Sequence, residues 1–269
     1  MMEKALPDDW WTQPNRIVIV APHVDDEMIG CHDLITRIEP EGPCSLRIVH
    51  MFADPDDPVR EREANNVAAR YVAERLSITA KDKLVHLREA VRDATLVLAP
   101  SRFDTHPEHK ITNSLVKMIK AEMSKEESKP TFLWYSVDMN IPGKRASVSS
   151  EDKAAELRLC YPSQSDYFDA NSQCSVFEDI RRHDTVLTVN VERDDVDGYR
   201  TSWSASIVGE PNSKVHARLR DAIVGNLLDD TYWLQTDDMT SLVARLNIAG
   251  FDDAFDLTIK YPTHTIRLP

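Results

Sequence analysis

The sequence predicts an α/β fold, a mostly parallel sheet with helices on both faces, followed by a small C-terminal α+β region. Three observations lead there. Short β-branched runs such as RIVIVA at residues 16–21 mark strands buried on both faces. Segments with helical spacing alternate with those runs, which implies parallel strands joined by crossover helices. After about residue 184 the alternation gives way to strand-like pieces with two helical ones between them.

The elements follow in order. Arg16 to Ala21 is the first strand, and Met28 to Ile38 is a helix with Ile29, Leu34, Ile35 and Ile38 on one side. Ser45 to Phe52 (SLRIVHMF) is a second strand. Pro55 to Pro58 breaks the chain, and Val59 to Leu76 predicts one long helix rich in Ala, Glu and Arg. A short helix over Leu87 to Asp93 leads to a strand at Thr95 to Ala99. A loop to Pro107 opens a helix ending near Glu122, then Thr131 to Val137 (TFLWYSV) is a strand and Glu151 to Tyr161 a helix. This order is Rossmann-like, and in such sheets ligands bind beyond the carboxyl ends of the strands.

Residues 1–184 are expected to form the main domain and 185–269 a small α+β domain or extension. Within the latter, strands are expected at Thr185–Val191, Ser202–Val208, Tyr232–Gln235 and Phe255–Tyr261. Helices are expected at Ser213–Leu228 and Met239–Ala249, and the acidic stretch Glu192 to Gly198 reads as a linker.

Composition narrows the function classes. A net charge of -13 over 269 residues repels phosphate backbones and argues against broad nucleic-acid binding, while leaving room for a small ligand in a local pocket. The four cysteines form no C-x-x-C pair, and a chain of this length needs no disulfide staples. No apolar run has signal-peptide or membrane-span character, so a cytoplasmic protein is expected.

The chemistry-bearing residues fall in the loops at the sheet's carboxyl edge. Pro22-His23-Val24-Asp25-Asp26-Glu27 follows the first strand directly. Alone it reads equally as a polar turn or as a site. Asp104-Thr105-His106-Pro107-Glu108-His109 follows the Thr95 strand and opens a helix, and loops after two strands of one sheet can converge. Zinc favours imidazole nitrogen and carboxylate oxygen, and a catalytic zinc keeps three protein ligands and an open position. Two His and one Asp meet that need, leaving a second carboxylate and a second His for proton transfer and transition-state charge.

These two motifs resemble those of the PIG-L/LmbE-like zinc deacetylases, which carry His-Pro-Asp-Asp-Glu after strand one and His-Pro-Asp-His later. The resemblance covers roughly residues 16–180. It implies that His23, Asp26 and His109 bind Zn2+ and that Asp25 is the general base activating metal-bound water. It implies further that His106 stabilises the oxyanion or protonates the leaving amine. Asp54 matches the family's Thr-Asp-Gly loop, Arg60 and Glu63 its Arg-x-x-Glu helix start, and Lys153 with Tyr161-Pro162-Ser163-Gln164 its late Lys…Ser-Gln element. Asp54 and Arg60 are therefore expected to bind substrate, an N-acetylated amino sugar or similar small molecule. Val24 replaces the family's usual Pro, and His32 and Asp33 stand where it has a Gly pair. The family's strand and loop between the Arg60 helix and the Thr95 strand find no counterpart in the pattern.

Plainer readings remain beside these. His32, His50, His86, His183, His216 and His264 read as surface or satisfied core histidines, and Cys31 as a small buried residue. Arg60 and Glu63 also read as an i,i+3 surface pair. Two functional alternatives stay open: a hydrolase of another amide or an ester, and a metal-binding recognition scaffold acting through the C-terminal region.

Overall fold

Strand and helix alternate from Arg16 to Tyr135. The computed structural model describes residues 6, 9–79, 81–123, 130–137, 146–147, 150–170, 177–181, 186–194, 199–208 and 256–266. Described residues from Leu6 to Arg181 belong to one compact unit, and those from Val186 to Ile266 to another.

The first unit runs β1 (Arg16–Ala21), α1 (Asp26–Thr36), β2 (Ser45–His50), α2 (Pro58–Arg70), β3 (Glu74–Ser77), α3 (Lys83–Val91), β4 (Leu96–Pro100), α4 (Pro107–Met123) and β5 (Thr131–Tyr135). It continues with β6 (Ala146–Ser147), α5 (Ser150–Cys160), α6 (Ser165–Ala170), β7 (Phe177–Glu178) and β8 (Ile180–Arg181). Six strands form one sheet in the order β3-β2-β1-β4-β5-β8. The first five are parallel, and β8 runs antiparallel to β5. This is the mostly parallel, Rossmann-like sheet expected.

Alternate residues of each central strand enter different cores. Ile17, Ile19, Leu46, Ile48, Leu96 and Leu98 face one side, where α1, α2 and α5 contribute Ile29, Ile35, Val67 and Leu157. Val18, Val20, Val49, Val97 and Ala99 face the other, against Leu87 and Val91 of α3 and Val116 and Ile119 of α4. Burial on both faces explains why these strands read as unbroken apolar runs. Because β1 pairs with β2 on one side and β4 on the other, connections leave it in opposite directions. The gap between the β1 and β4 loops is the topological switch point where open α/β sheets bind ligands.

Two expectations are corrected. The single helix over Val59 to Leu76 ends at Arg70, and Glu74–Ser77 is the parallel edge strand β3, registered Arg47↔Glu74 to His50↔Ser77. The helix stops at Val72, which takes φ 51, while Ala73 N–H returns to the Ala68 carbonyl at 2.8 Å. Such left-handed stops normally carry Gly or Asn, so a valine there gives no warning in the sequence. In the second unit, the linker reading of Glu192 to Gly198 fails for its first residues. Strand β9 (Val186–Asp194) continues through them and pairs antiparallel with β10 (Tyr199–Val208), with Asp194 opposite Arg200. Strand β11 (Asp256–Ile266) completes a three-stranded sheet on the other edge of β10. The strand expected at Tyr232–Gln235 and the helices at Ser213–Leu228 and Met239–Ala249 lie outside the described residues.

Close backbone packing under the site is supplied by Gly30. A Cβ there would lie 2.1 Å from Cδ2 of Tyr135. That ring cannot retreat, because Tyr135 is fully buried and its hydroxyl donates to the Val20 carbonyl at 2.9 Å. Gly30→Ala is expected to lower stability by about 1–3 kcal/mol, the usual range for overpacking, read as a fall in the urea midpoint. Adding Tyr135→Leu should recover part of the loss, and an unchanged midpoint in Gly30→Ala would refute the contact.

Candidate metal centre

Both motif loops start where the ladder ends. Ala21 and Pro22 carbonyls still accept Met51 and Phe52 N–H groups, each at 2.9 Å, so the chain is held until His23. The turn then passes through Asp25, whose φ of 119 is a left-handed conformation that a non-glycine residue rarely adopts. Contacts on both sides fix it there. Its N–H donates to Glu27 Oε2 at 3.2 Å, and its Oδ2 accepts from Arg60 Nη2 at 2.8 Å. Arg60 Nη2 also donates to the Val24 carbonyl. Helix α1 begins at once, with Asp26 and Glu27 in its first turn, where the helix dipole favours negative charge.

The second loop ends at Pro107, the first residue of α4, a position where a missing N–H costs nothing. His106 Nδ1 accepts the Glu108 N–H at 3.3 Å, which leaves its proton on Nε2. His109 stands on the first turn and is buried.

The loops converge on a triangle of three atoms. His23 Nδ1 lies 3.2 Å from Asp26 Oδ2, His109 Nε2 lies 3.2 Å from the same oxygen, and the two nitrogens are 3.3 Å apart. Ligands about 2.0–2.1 Å from a tetrahedral ion are separated by roughly 3.3 Å, so the edges suit one zinc-sized ion. The other nitrogen of each ring meets a carboxylate: His109 Nδ1 is 3.1 Å from Asp104 Oδ2, and His23 Nε2 is 2.5 Å from Glu108 Oε2. In the neutral rings, carboxylates in those positions hold the one proton on the outer nitrogen and leave the inner one available as a ligand. The nitrogens of His23, His106 and His109 also lie within 4.8 Å of one another, a group that could hold a metal ion. His106 is exposed, however, whereas the buried Asp26 lies 3.2 Å from a nitrogen of each of the other two rings.

Charge is distributed unevenly. Burial opposes a charged His109, but its bonds to Asp104 and Asp26 outweigh that and push it up to about 10. His23 is raised for the same kind of reason, through Asp26 and Glu108. Burial would raise Asp26, yet its bonds to His109 and His23 hold it well below the carboxylate range. Asp25 moves the other way: burial and the neighbouring Asp26 charge raise it well above that range, with Arg60 opposing. Two adjacent carboxyls driven apart in this way have separate capacities, one a fixed anion and the other a group that exchanges a proton.

His106 stands beside the triangle, its ring centroid 4.7 Å from that of His23 and 5.2 Å from that of His109. Asp54 is not joined to the cluster by any bond among the described residues. It is exposed and its carboxylate accepts the Asp56 N–H at 2.9 Å. Arg60 and Glu63 do form the expected i,i+3 pair, at 3.6 Å, but not at the surface: Glu63 is buried and accepts Ser163 N–H at 2.8 Å and Ser163 Oγ–H at 2.6 Å. His50 is a satisfied core histidine, bonded to Glu27 at 3.2 Å and accepting from Arg75 Nε at 3.3 Å. Tyr161 donates to the other oxygen of Glu27.

Sequence reasoning assigned no role to Asp104 or Glu108. Asp104 is fully buried and also accepts Ser136 Oγ–H at 2.8 Å and Val137 N–H at 3.3 Å. A carboxylate five residues before a candidate ligand His was the signal available.

No protein-family model matches the chain, and no curated protein matches it in sequence. Among solved structures, the conserved protein TT1542 from Thermus thermophilus is similar, at 20% identity and a TM-score of 0.47. The similarity covers 60% of this chain and 83% of that one. No helix among the described residues is long and apolar enough to cross a membrane.

A metal held by His109 would displace its inner proton, so binding there would be coupled to pH. In the metal-free chain the raised His109 contributes stability in full below 6.5 and loses it as pH rises through about 10. Affinity for a divalent metal there is therefore expected to strengthen between pH 6.5 and 9 while metal-free stability falls. Calorimetry in buffers of different ionisation heat should register at least about one proton released per ion bound. A pH-independent affinity would contradict the protonation scheme.

Proposed function

We propose that the chain is a zinc-dependent hydrolase that removes an acetyl group from an N-acetylated amino sugar or a similar small molecule. The observation that carries this reading is the His23–Asp26–His109 triangle with the proton-exchanging Asp25 adjacent in sequence to one of its corners. The resemblance of both motifs to the PIG-L/LmbE-like deacetylases supports it.

His23, Asp26 and His109 would hold the ion, a donor set of two imidazoles and one carboxylate that suits zinc. Zinc, when bound, supplies Lewis acidity toward the acyl carbonyl and makes a water at its open position more acidic. Asp104 and Glu108 keep the two rings in the ligand tautomer. Asp25 takes the proton of the attacking water and returns it to the amine nitrogen as the C–N bond breaks, giving acetate and a free amine. Arg60 holds the Asp25 carboxylate in one orientation and moderates its basicity. His106 carries its proton on Nε2 and so can donate to the oxyanion as the acyl carbon becomes tetrahedral. Residues 1–184 serve as the catalytic domain in this reading, with 185–269 an accessory region.

Asp25→Asn keeps the shape and removes the base. On a panel of N-acetylated amino sugars, acetate release should fall by at least about 10²-fold with metal content unchanged. Undiminished turnover in that variant would defeat the assigned role. Full metal loading without turnover of any amide or ester by the wild type would favour the recognition scaffold instead.

A further inference from the structure

Helix α1 is broken one turn after the candidate site. Cys31 lies at φ -138, ψ 23, outside helical geometry. In an unbroken helix the Asp33 N–H would donate to the Ile29 carbonyl. Here that donor turns to Glu178, at 2.9 Å from Oε1 and 3.2 Å from Oε2. The Ile29 carbonyl instead accepts from Lys153 Nζ at 2.5 Å. Lys153 and Glu178 are themselves 3.5 Å apart, and Lys153 also donates to the Phe177 carbonyl at 2.9 Å. An ion pair has thus been inserted into the hydrogen-bond ladder, an identifiable cause of a kink.

Both ions are buried, Lys153 completely and Glu178 to within 5%. A buried ion pair is a poor device for stability, since well-packed apolar residues of similar volume generally do as well or better. Its consequence is directional. The short segment Asp26 to Gly30 carries the site's central carboxylate, and its end is tied to α5 and β7 through Lys153 and Glu178 rather than continuing straight into the rest of α1. Gly30, at the same break, packs so closely on the Tyr135 ring that a Cβ would collide with it.

We propose that Lys153 and Glu178 are positioning residues for the His23–Asp26–His109 triangle, holding the first turn of α1 at the angle that brings Asp26 between the two rings. The proposal rests on the reading of that triangle as a metal centre. It deepens that reading by naming a second, distant pair of residues on which the centre depends.

The test compares Lys153→Met, Glu178→Gln and the double variant K153M/E178M with the wild type. Urea unfolding, metal-free histidine-ring NMR and cobalt(II) absorption spectra are recorded for each. Lys153→Met leaves a buried carboxylate without its cation and is expected to destabilise the chain. The double variant frees Asp33 N–H and the Ile29 carbonyl to rejoin, so it should be more stable than Lys153→Met. Its helix then straightens, so the ring signals of His23 and His109 should differ from wild type and the cobalt Kd should rise about tenfold or more. Glu178→Gln keeps an acceptor for Asp33 N–H and should retain wild-type ring signals.

A double variant no more stable than Lys153→Met, or one with wild-type ring signals, overturns the proposal. So does recovery of cobalt affinity together with stability, as a purely structural pair would give. A wild type that takes up no cobalt, with ring signals still moving in the double variant, sustains the positioning role and sinks the metal reading alone.

Discussion

The arrangement on which the site depends is one carboxylate oxygen, Asp26 Oδ2, placed 3.2 Å from a nitrogen of each of two imidazole rings. The three groups come from the loop or first helical turn that follows each of two neighbouring parallel strands, and such segments approach one another because connections leave β1 in opposite directions. Without an ion the cluster holds charge by proton sharing, which raises both histidines and depresses Asp26. An ion on the triangle would take over that charge balance, with Asp104 and Glu108 already behind the rings.

Holding that arrangement involves a large part of the first unit. Asp25 is kept in a left-handed conformation by Glu27 on its amide and Arg60 on its carboxylate. Glu27 is in turn fixed by Tyr161 and His50, and His50 by Arg75, which makes two 2.8 Å contacts with Glu61. Residues from β2, β3, α2 and the end of α5 therefore bear on one turn of chain. Backbone strain of this kind persists only where the surroundings over-determine it, and it is concentrated at functional sites.

Much of this was legible in the sequence. The strands were, because burial on both faces leaves continuous apolar runs such as RIVIVA. The two histidine motifs were, because polar residues with ligand chemistry directly after such runs fall at the binding edge. Strand β3 was not. Leu76 is the one apolar residue in ERLS, and the valine that ends the preceding helix carries none of the usual marks of a stop. Asp104 was passed over because its role depends on His109 facing it and on Ser136 and Val137, more than thirty residues away. The Lys153–Glu178 insertion was illegible for the same reason: Glu178 meets Asp33 across 145 residues, and nothing local in α1 announces the break. The hidden position of Glu63, which looked like half of a surface pair, follows from a bond to Ser163 that only the fold creates.

The most direct measurement is zinc content per chain, after purification without chelator, in the wild type and in His109→Ala. The proposed zinc centre predicts about one zinc per chain in the wild type and its loss in the variant, since two ligands do not retain an ion that three hold. Equal metal in both proteins, or none in the wild type even after reconstitution, would mean that the convergence of the two loops serves something other than a metal centre.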